Sequence, residues 1–445
     1  KFQKSNVRTR LGTKDELLRM AAVLHANGME VVQDIVFNHI IGANVRDPLA
    51  QDDQYKIFRY TSFATPQFVG DSVDYIGRRG RFPKNWVNFH PNTWRGFGGN
   101  PGSSLNDVTS AFFGPDICFD PRAYGQSSLP TGNPLVYNPP QSSNYMRNEL
   151  RRWFIWHTKQ IGIDGYRFDA VKHFEPHVVH DVVWHVASSS GDITQGVNGS
   201  PALGWDILSI GEWVGGKTEL DEWAGAQPAP ESVLEGGLSP TSRNLGGVDN
   251  RAGTFDFGLR GFSTDGLVGM VYALGAFDMS TIPSLQQDNR GRTVPFVNNH
   301  DTFRPPLQTN GDYPVGNWTS GSELGRNIDP REPRLAVAYA IILSVDGSPQ
   351  IFFEDLFDIG SGGIRYTHIP SNPSSLPVRS DIANLIRCHQ KLQFKNGAYF
   401  VRTAETGADA PFFLQGNLQD GLVFERGGRA MIGVTDSWNT EQRVW

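Results

Sequence analysis

An amphipathic helix followed at once by a short apolar run is the feature that most constrains the fold of this chain. Thr13, with Glu16 three residues later, forms a capping box, and the apolar residues that follow recur at helical spacing up to Gly28. Residues 31–37 are then mostly apolar around Asp34, as in a strand that helices cover on both faces of a parallel sheet. A helix that leads into such a strand predicts an α/β fold.

The same unit returns later in the chain. Helical spacing resumes at Met146, Gly162 ends that helix, and residues 163–168 are predicted to form a second buried strand. The pattern also predicts strands at residues 207–210, 254–259, 294–297 and 350–353, and helices at residues 333–343 and 381–391. Parallel strands joined by helices fit either an open doubly wound sheet or a closed (β/α)8 TIM barrel. Acidic residues that recur just after strand ends favour the barrel, of which two strands are then missing.

Two segments depart from this pattern. Residues 40–143 are rich in Gly, Pro, Asn and aromatic residues and are too long for a plain loop, which predicts an inserted subdomain. After residue 395, short apolar runs separated by Gly and Asp turns predict a small antiparallel domain. We therefore expect a catalytic barrel of residues 1–39 and 144–395, an inserted subdomain B of residues 40–143, and a C-terminal β-sheet domain of residues 396–445.

Composition limits the partners that the chain could bind. The 40 basic and 46 acidic residues give a net charge of -6, which argues against a nucleic-acid partner. No apolar run approaches the roughly 20 residues that cross a bilayer, so no membrane partner is expected. The chain has only Cys118 and Cys388, which excludes a disulfide framework and a CxxC metal site. The 11 Trp residues suit either stacking on sugars or the filling of a large core.

Four short clusters share one layout, in which a predicted strand ends in charged or imidazole residues. Any one cluster alone could be structural, as an Asp that caps a helix or a His buried in the core. Four at strand ends indicate a site, because the loops after barrel strands converge. The clusters read Asp34-Ile-Val-Phe-Asn-His39, Gly165-Tyr-Arg-Phe-Asp-Ala-Val-Lys-His173, Gly211-Glu-Trp213 and Phe296-Val-Asn-Asn-His-Asp301.

In order and in residue identity, these clusters resemble the four signature regions of the α-amylase family of glycoside hydrolases. The resemblance covers nearly the whole chain and implies a barrel with an inserted subdomain and a C-terminal β-sheet domain. It also implies that Asp169 is the nucleophile, that Glu212 is the general acid and then base, and that Asp301 grips sugar hydroxyls. Cleavage of a glycoside with retention needs two carboxyl groups in the first two of these roles.

The residues next to the two reacting carboxyl groups in the sequence are consistent with these roles. Arg167 lies two residues before Asp169, on the same side of a strand, and can keep that carboxylate charged. Glu212 has no such neighbour in the sequence and is followed by Trp213. A less polar setting would help Glu212 to keep the proton that it must donate.

The resemblance implies four further substrate-binding residues. His39 and His300 would donate hydrogen bonds to the sugar at the cleavage point. Lys172 and His173 would contact the leaving-group side. This Lys-His pair is typical of true α-amylases, which favours the internal cleavage of starch or glycogen chains and of maltooligosaccharides.

The resemblance also implies a calcium ion, held by Asn38 and by the backbone carbonyl of His173, because calcium prefers hard oxygen ligands. The family usually adds an Asp from a Leu-Pro-Asp motif in the insertion. This chain reads Leu129-Pro-Thr131 instead, so the charged ligand must come from elsewhere, and Asp116 and Asp120 are candidates.

Three alternatives stay open at this point. A maltooligosaccharide-forming exo-amylase or a transglycosylase would share the three carboxylates. A non-catalytic carbohydrate-binding relative would keep the barrel, although such relatives tend to lose the carboxylates that this chain retains. Since Asp34 belongs to the third barrel strand in the family, the chain could also be an incomplete enzyme that lacks the first two strands. We further expect an extracellular, secreted protein and a monomer.

Overall fold

A computed structural model describes the chain in part. The described residues are 12–38, 117, 145–171, 177–188, 207–225, 252–282, 292–302, 325–326, 328–329, 332–357, 378–394, 399–402, 414–415 and 418–438. The predicted inserted subdomain therefore lies outside the described residues, except for Ile117. The chain divides into two compact units, residues 1–213 with 222–252, and residues 214–221 with 253–445.

The first unit alternates helices and parallel strands. Strand β2 pairs with β1 on one side and with β3 on the other, and both pairings are parallel. Helix α2 packs against both α1 and α3. The elements are α1 (Lys14–Ala26), β1 (Val32–Ile35), α2 (Tyr145–Ile161), β2 (Gly165–Phe168), α3 (His177–Ser188) and β3 (Leu208–Gly211), and α4 (Lys217–Gly225) follows them.

Local signals place the ends of the first two helices where the sequence predicts them. The amide of Thr13 donates to Glu16 Oε2 at 2.6 Å, and the amide of Glu16 donates to Thr13 Oγ1 at 3.2 Å, which is the predicted capping box. Gly28 and Gly162 follow α1 and α2 with φ of 71° and 76°, a left-handed conformation that glycine adopts without steric cost. Both predictions are confirmed.

The burial of β1 differs from the prediction. Val32 and Val36 are 40% and 55% exposed, whereas Ile35 is buried. Side chains alternate along a strand, so Gln33 and Ile35 share one face, and Gln33 contacts His157 of α2 at 2.8 Å. The prediction of a strand covered on both faces is therefore wrong for β1, because α2 covers only the face of Gln33 and Ile35.

Strand β2 is buried along its whole length, as predicted. Its aromatic side chains form the core of the first unit with the segment after β1 and with α2. The rings of Phe37, Phe154 and Phe168 lie with their centroids within 6 Å of one another, and Tyr166 completes the cluster. Each buried ring stabilises the fold by about 2–3 kcal/mol, so this cluster fixes the strand that carries Arg167.

The second unit begins with two parallel strands and ends in an antiparallel sheet. β4 pairs in parallel with β5, and Phe296 forms a parallel bridge with Gln350. β9 pairs in antiparallel with β6 and β10, and β7 pairs in antiparallel with β8. The elements are β4 (Gly253–Phe255), α5 (Phe257–Arg260), α6 (Gly266–Tyr272), β5 (Thr293–Val294), α7 (Leu335–Ile342), α8 (Ser380–Lys391), β6 (Tyr399–Val401), β7 (Leu414–Gln415), β8 (Leu418–Gln419), β9 (Gly421–Arg426) and β10 (Ala430–Thr435).

Two predicted strands of this unit are shorter than expected. The run at 254–259 stops at Phe255, because the side chain of Asp256 accepts the amide of Leu259 at 2.8 Å and caps α5. The run at 350–353 contributes only the bridge at Gln350, and Phe353–Leu356 is a 3₁₀ helix. An apolar run alone does not distinguish a strand from a buried helical turn.

The core of the second unit surrounds α7, which is almost entirely apolar and buried, and α7 packs against α8 and β10. The predicted α/β class, with parallel strands joined by helices and a C-terminal antiparallel sheet, is confirmed. The domain boundaries remain a prediction. In the part of the chain that the structure describes, no helix is long and apolar enough to cross a membrane.

Candidate active site

The three strands of the first unit bring Asp169 and Glu212 to neighbouring positions. Asp34 pairs with Arg167 in the register of β1 and β2, and Phe168 pairs with Gly211 in the register of β2 and β3. The parallel ladder continues beyond the strand ends. The amide of Asp169 donates to Ile35 at 3.0 Å, the amide of Glu212 to Phe168 at 2.8 Å, and the amide of Val171 to Glu212 at 3.1 Å. Both carboxylates thus lie at the carboxyl ends of adjacent strands.

The side chain of Arg167 joins three carboxylates. Its Nη1 lies 2.7 Å from Asp34 Oδ1 and 2.6 Å from Asp169 Oδ1, and its Nη2 lies 2.6 Å from Glu212 Oε2. Burial alone would lower the pKa of the Arg167 guanidinium, but Glu212, Asp34 and Asp169 outweigh burial and raise that pKa above its ordinary value. Arg167 therefore stays charged and holds the three carboxylates around it.

The contact between Arg167 and Glu212 was not predicted from the sequence. The prediction considered only the residues next to Glu212 in the chain, and the cation comes from the adjacent strand instead. The side chain of Glu212 is 8% exposed, compared with 20% for Asp169. The setting of Glu212 is therefore enclosed, as expected, but it contains a charge. The signal for this contact is that Arg167 and Glu212 lie on the same face of two adjacent parallel strands.

Trp223 supports the strand end that carries Glu212. Gly211 precedes Glu212, and a Cβ atom at this glycine would lie 2.2 Å from Cη2 of Trp223, which is fully buried. Only a glycine lets the indole ring come this close to the backbone. This contact was not predicted from the sequence.

Ala170 lies between Asp169, the predicted nucleophile, and Val171, whose amide donates to the carbonyl of Glu212. Its φ is 52°, a left-handed conformation that is uncommon for a residue with a Cβ atom. Strained residues of this kind concentrate at functional sites. Here the conformation turns the chain between Asp169 and Val171, whose amide donates to the Glu212 carbonyl.

The third carboxylate lies in the second unit, in a turn that side chains hold. Asn299 Oδ1 accepts the amides of Asp301 at 2.9 Å and of Thr302 at 2.7 Å, and the amide of Asn299 donates to Thr302 Oγ1 at 2.8 Å. Nε2 of His300 lies 3.1 Å from Asp301 Oδ2. The side chains of His300 and Asp301 are 55% and 29% exposed, so both can be reached from solvent.

Several predicted site residues lie outside the described residues, namely His39, Lys172 and His173, and so do the candidate calcium ligands Asp116 and Asp120. Asn38 is described and fully buried. Its carbonyl accepts the amide of Ile117 at 2.7 Å, which ties the segment after β1 to a residue of the predicted insertion. The described residues contain no group of three or more His, Cys, Asp and Glu that could hold a metal ion. Of the predicted calcium ligands, Asn38 is the one that lies in the described part of the chain.

The described arrangement places the carboxyl groups of Asp169 and Glu212 on one guanidinium, which also binds Asp34. A protonated carboxyl group can donate to the oxygen of a leaving group while an adjacent carboxylate acts on the carbon that this oxygen leaves. Such a pair suits acid-assisted displacement at an acetal carbon, which is the chemistry of glycoside cleavage.

Comparison with known proteins finds similarity to α-amylases and to a related glucan hydrolase. The family model of the α-amylase catalytic domain matches residues 3–183. The glucan 1,4-α-maltohexaosidase of Bacillus sp. (strain 707) is 25% identical over 408 residues, which are 88% of this chain and 63% of that relative. The α-amylase of Bacillus licheniformis is 24% identical over 392 residues, which are 83% of this chain and 61% of that relative. A solved α-amylase of Geobacillus thermoleovorans, complexed with acarbose, has a TM-score of 0.49 and 15% identity and covers 96% of this chain and 70% of that chain.

The chain thus spans less than two thirds of the length of the two curated relatives. The family match includes the strands that carry Asp34, Arg167 and Asp169. Parallel strands joined by helices, with carboxylates at their carboxyl ends, are the building units of a TIM barrel. Over residues 3–183 the chain is similar to the catalytic domain of the α-amylase family of glycoside hydrolases, and its similarity to the two relatives extends over more than four fifths of the chain.

Proposed function

We propose that this chain hydrolyses α-1,4-glucosidic bonds in starch-type or glycogen-type polysaccharides and in maltooligosaccharides, with retention of the anomeric configuration. The observation that carries the proposal is the bridge that Arg167 makes between Asp169 and Glu212, with 2.6 Å to each. The names of the relatives support the substrate class, since they are a glucan 1,4-α-maltohexaosidase and α-amylases.

The bridge keeps the two carboxyl groups close together. The nitrogens of a guanidinium form a rigid fork, so Asp169 Oδ1 and Glu212 Oε2 are at most about 8 Å apart. Retaining glycosidases need a separation of about 5 Å, because the nucleophile must reach the sugar carbon without an intervening water. The upper limit includes the separation of a retaining enzyme, and retention itself is what the family resemblance implies.

In this proposal, Glu212 starts as the acid. Glu212 is the most buried of the three carboxyl groups that contact Arg167, and burial favours the protonated form of a carboxyl group. Glu212 gives this proton to the glycosidic oxygen while Asp169, more exposed and bound by Arg167, attacks the anomeric carbon. The covalent glycosyl-Asp169 ester is then cleaved by water, whose proton returns to Glu212.

Asp301 and the His residues orient the sugar. We assign to Asp301 the binding of hydroxyls of the sugar at the cleavage point. The hydrogen bonds that hold its turn support a fixed position for this carboxylate. His300 and His39 would donate to the same sugar, and Lys172 with His173 would contact the leaving-group side. These roles rest on the family resemblance.

We propose internal cleavage of long chains as the mode of action. An exo-acting maltooligosaccharide-forming enzyme and a transglycosylase are the alternatives, and the relative from Bacillus sp. (strain 707) is named a maltohexaosidase. Product analysis during starch digestion distinguishes the three. Internal cleavage gives a mixture of lengths with an early fall in iodine staining, exo-action gives one product from the start, and transglycosylation gives products longer than the supplied oligosaccharide.

The catalytic claim is tested with two substitutions and a matched control. Asp169→Asn and Glu212→Gln each remove one reacting carboxyl group and should lower kcat on a blocked maltooligosaccharide by at least about 1,000-fold. Glu149→Gln removes a carboxylate of the same unit that pairs with Arg152 on α2, and it should leave kcat unchanged. Equal rates for Asp169→Asn and wild type would reject the catalytic proposal in favour of a binding protein.

Two further readouts test the individual roles. NMR of the first product formed should show the α-anomer before mutarotation, and a β-anomer would exclude retention. The pH profile of kcat/KM should lose its basic limb in Glu212→Gln, because that limb reports the acid. Survival of both limbs in this variant would assign the acid to another group.

We also propose a calcium ion near Asn38, with the carbonyl of His173 and either Asp116 or Asp120 as further ligands. The hydrogen bond from Ile117 to Asn38 supports the proposal, because it ties the insertion to the segment that carries Asn38. Metal analysis after purification without chelator should find calcium, and dialysis against a chelator should lower the Tm. A metal-free protein with an unchanged Tm would contradict this site. Secretion and a monomeric state remain predictions from the sequence.

A further inference from the structure

We propose that a buried polar set, formed by Asn298, Tyr339 and Asp355, positions the turn that carries Asp301. The inference rests on the proposed function, since it assigns to these residues an effect that acts through Asp301. Asn298 immediately precedes the turn, Tyr339 lies on α7, and Asp355 lies in the 3₁₀ helix Phe353–Leu356.

Asp355 Oδ2 is the point where the set converges. It accepts the hydroxyl of Tyr339 at 2.7 Å and the side-chain amide of Asn298 at 3.1 Å. The same amide nitrogen of Asn298 donates to the carbonyl of Ile328 at 3.3 Å. All three side chains of the set are fully buried. Two acceptors on one side of the Asn298 amide fix its orientation and, with it, the backbone at residue 298.

The turn is attached to this set through a single peptide bond. Asn298 is followed by Asn299, whose side chain holds the amides of Asp301 and Thr302 at 2.9 and 2.7 Å. On the other side, Nε of the buried Arg260 donates to the carbonyl of Val297 at 2.9 Å. Residues 297–299 are thus held by side chains from separate elements, and a shift at residue 298 reaches the Asp301 amide through Asn299.

Removing the polar groups of this set from water costs free energy, which argues against a purely stabilising role. Buried polar groups stabilise a fold less than apolar groups of the same shape, and Oδ1 of Asn298 has no hydrogen-bond partner among the described residues. The hydrogen bonds to Asp355 Oδ2 are, however, directional in a way that apolar contacts are not, so they fix the orientation of the Asn298 side chain. That property is useful beside a carboxylate that must meet a sugar in one orientation.

The test is Tyr339→Phe, which removes one hydroxyl and keeps the ring. The control is Ser344→Ala, which removes another buried hydroxyl bond, from Ser344 to Ala340 at the end of the same helix, at 2.6 Å. We expect Tyr339→Phe to lower kcat about 10-fold with KM changed less than about 2-fold, because a displacement well under 1 Å at a reacting group has effects of this size. Ser344→Ala should keep both constants.

A double-mutant cycle with Asp301→Asn distinguishes positioning from general damage. With an activated maltosyl fluoride as substrate, Tyr339→Phe should cause no further loss once Asp301 is replaced. As an independent readout, amide hydrogen exchange of residues 297–302 should be faster in Tyr339→Phe and unchanged in Ser344→Ala.

The outcomes separate this inference from the proposed function. If Asp301→Asn lowers activity but Tyr339→Phe acts equally in both backgrounds, or not at all, the positioning role is rejected and the function stands. If Asp301→Asn keeps wild-type activity, the role of Asp301 is rejected and the inference is rejected with it.

Discussion

A single methyl group at Gly211 should disturb both the stability and the activity of this protein. The Cβ atom of alanine at this position would lie 2.2, 2.7 and 2.9 Å from three ring carbons of Trp223. Ordinary contacts between carbon atoms are about 3.5–4.0 Å, so the ring or the strand must move by more than about 1 Å. Trp223 is fully buried, and a close-packed interior leaves little room for its ring to shift.

The size of both effects follows from this overlap. Overpacking of a core costs about 1–3 kcal/mol, so Gly211→Ala should lower the free energy of unfolding by that amount. Glu212 is the next residue, and its amide donates to Phe168 at 2.8 Å. A movement of about 1 Å at a reacting group can cost about 100-fold in rate, so kcat should fall by between 10-fold and 100-fold.

The assay combines urea unfolding, followed by tryptophan fluorescence, with kcat on a blocked maltooligosaccharide. Gly216→Ala is the matched control, because a Cβ atom there meets nothing within 4 Å. A second change, Trp223→Phe, shortens the ring and should restore part of kcat to the Gly211→Ala variant. Wild-type stability and kcat in Gly211→Ala would refute the reasoning, and so would a loss of kcat that Trp223→Phe does not relieve at all.

Four further changes test other parts of the structure. Arg167→Met should lower the free energy of unfolding by about 3–5 kcal/mol in urea unfolding, and kcat with it, because it leaves carboxylates without their buried cation. Burial lowers the pKa of His157 from 6.5 to about 4, so the unfolded chain binds protons more readily. The free energy of unfolding should therefore fall by up to about 3 kcal/mol between pH 6.5 and 4, and His157→Gln should flatten that fall. Thr13→Ala should lower the free energy of unfolding by about 1 kcal/mol, through loss of the cap in α1. Ala170→Gly should raise the Tm by a few degrees, or leave it unchanged, because glycine relieves the positive φ; a lower Tm would contradict a strained Ala170.

The features predicted well from the sequence depend on neighbouring residues only. The capping box of Thr13 and Glu16 involves residues three apart, and Gly28 and Gly162 end their helices through their own φ. Strand β2 was also predicted where it lies, because Gly162 ends the helix just before it. In each case the physical cause lies within one helical turn or one strand.

The features that were missed depend on which strands are neighbours and in what register. Asp34 and Arg167 are 133 residues apart, yet they pair directly across β1 and β2. The cation beside Glu212 and the indole against Gly211 arise in the same way, from elements that the sequence does not align. The exposure of Val32 has a related origin, since an apolar run does not tell which face a helix will cover.

The candidate carboxylates are held by two different kinds of support, and this difference explains which residue types the site requires. Asp169 and Glu212 follow ladder hydrogen bonds between backbone atoms, so the constraint there falls on backbone conformation, at Ala170 and Gly211. Asp301 sits in a turn closed by the side chain of Asn299, so the constraint there falls on side-chain chemistry. Backbone hydrogen bonds between strands persist when most side chains change, but they are lost when the register changes. The turn around Asp301, in contrast, depends on the side-chain amide of Asn299 being present and in its place. For this reason, a short residue motif predicts the turn around Asp301, whereas the contact of Arg167 with Glu212 follows only from the register of the strands.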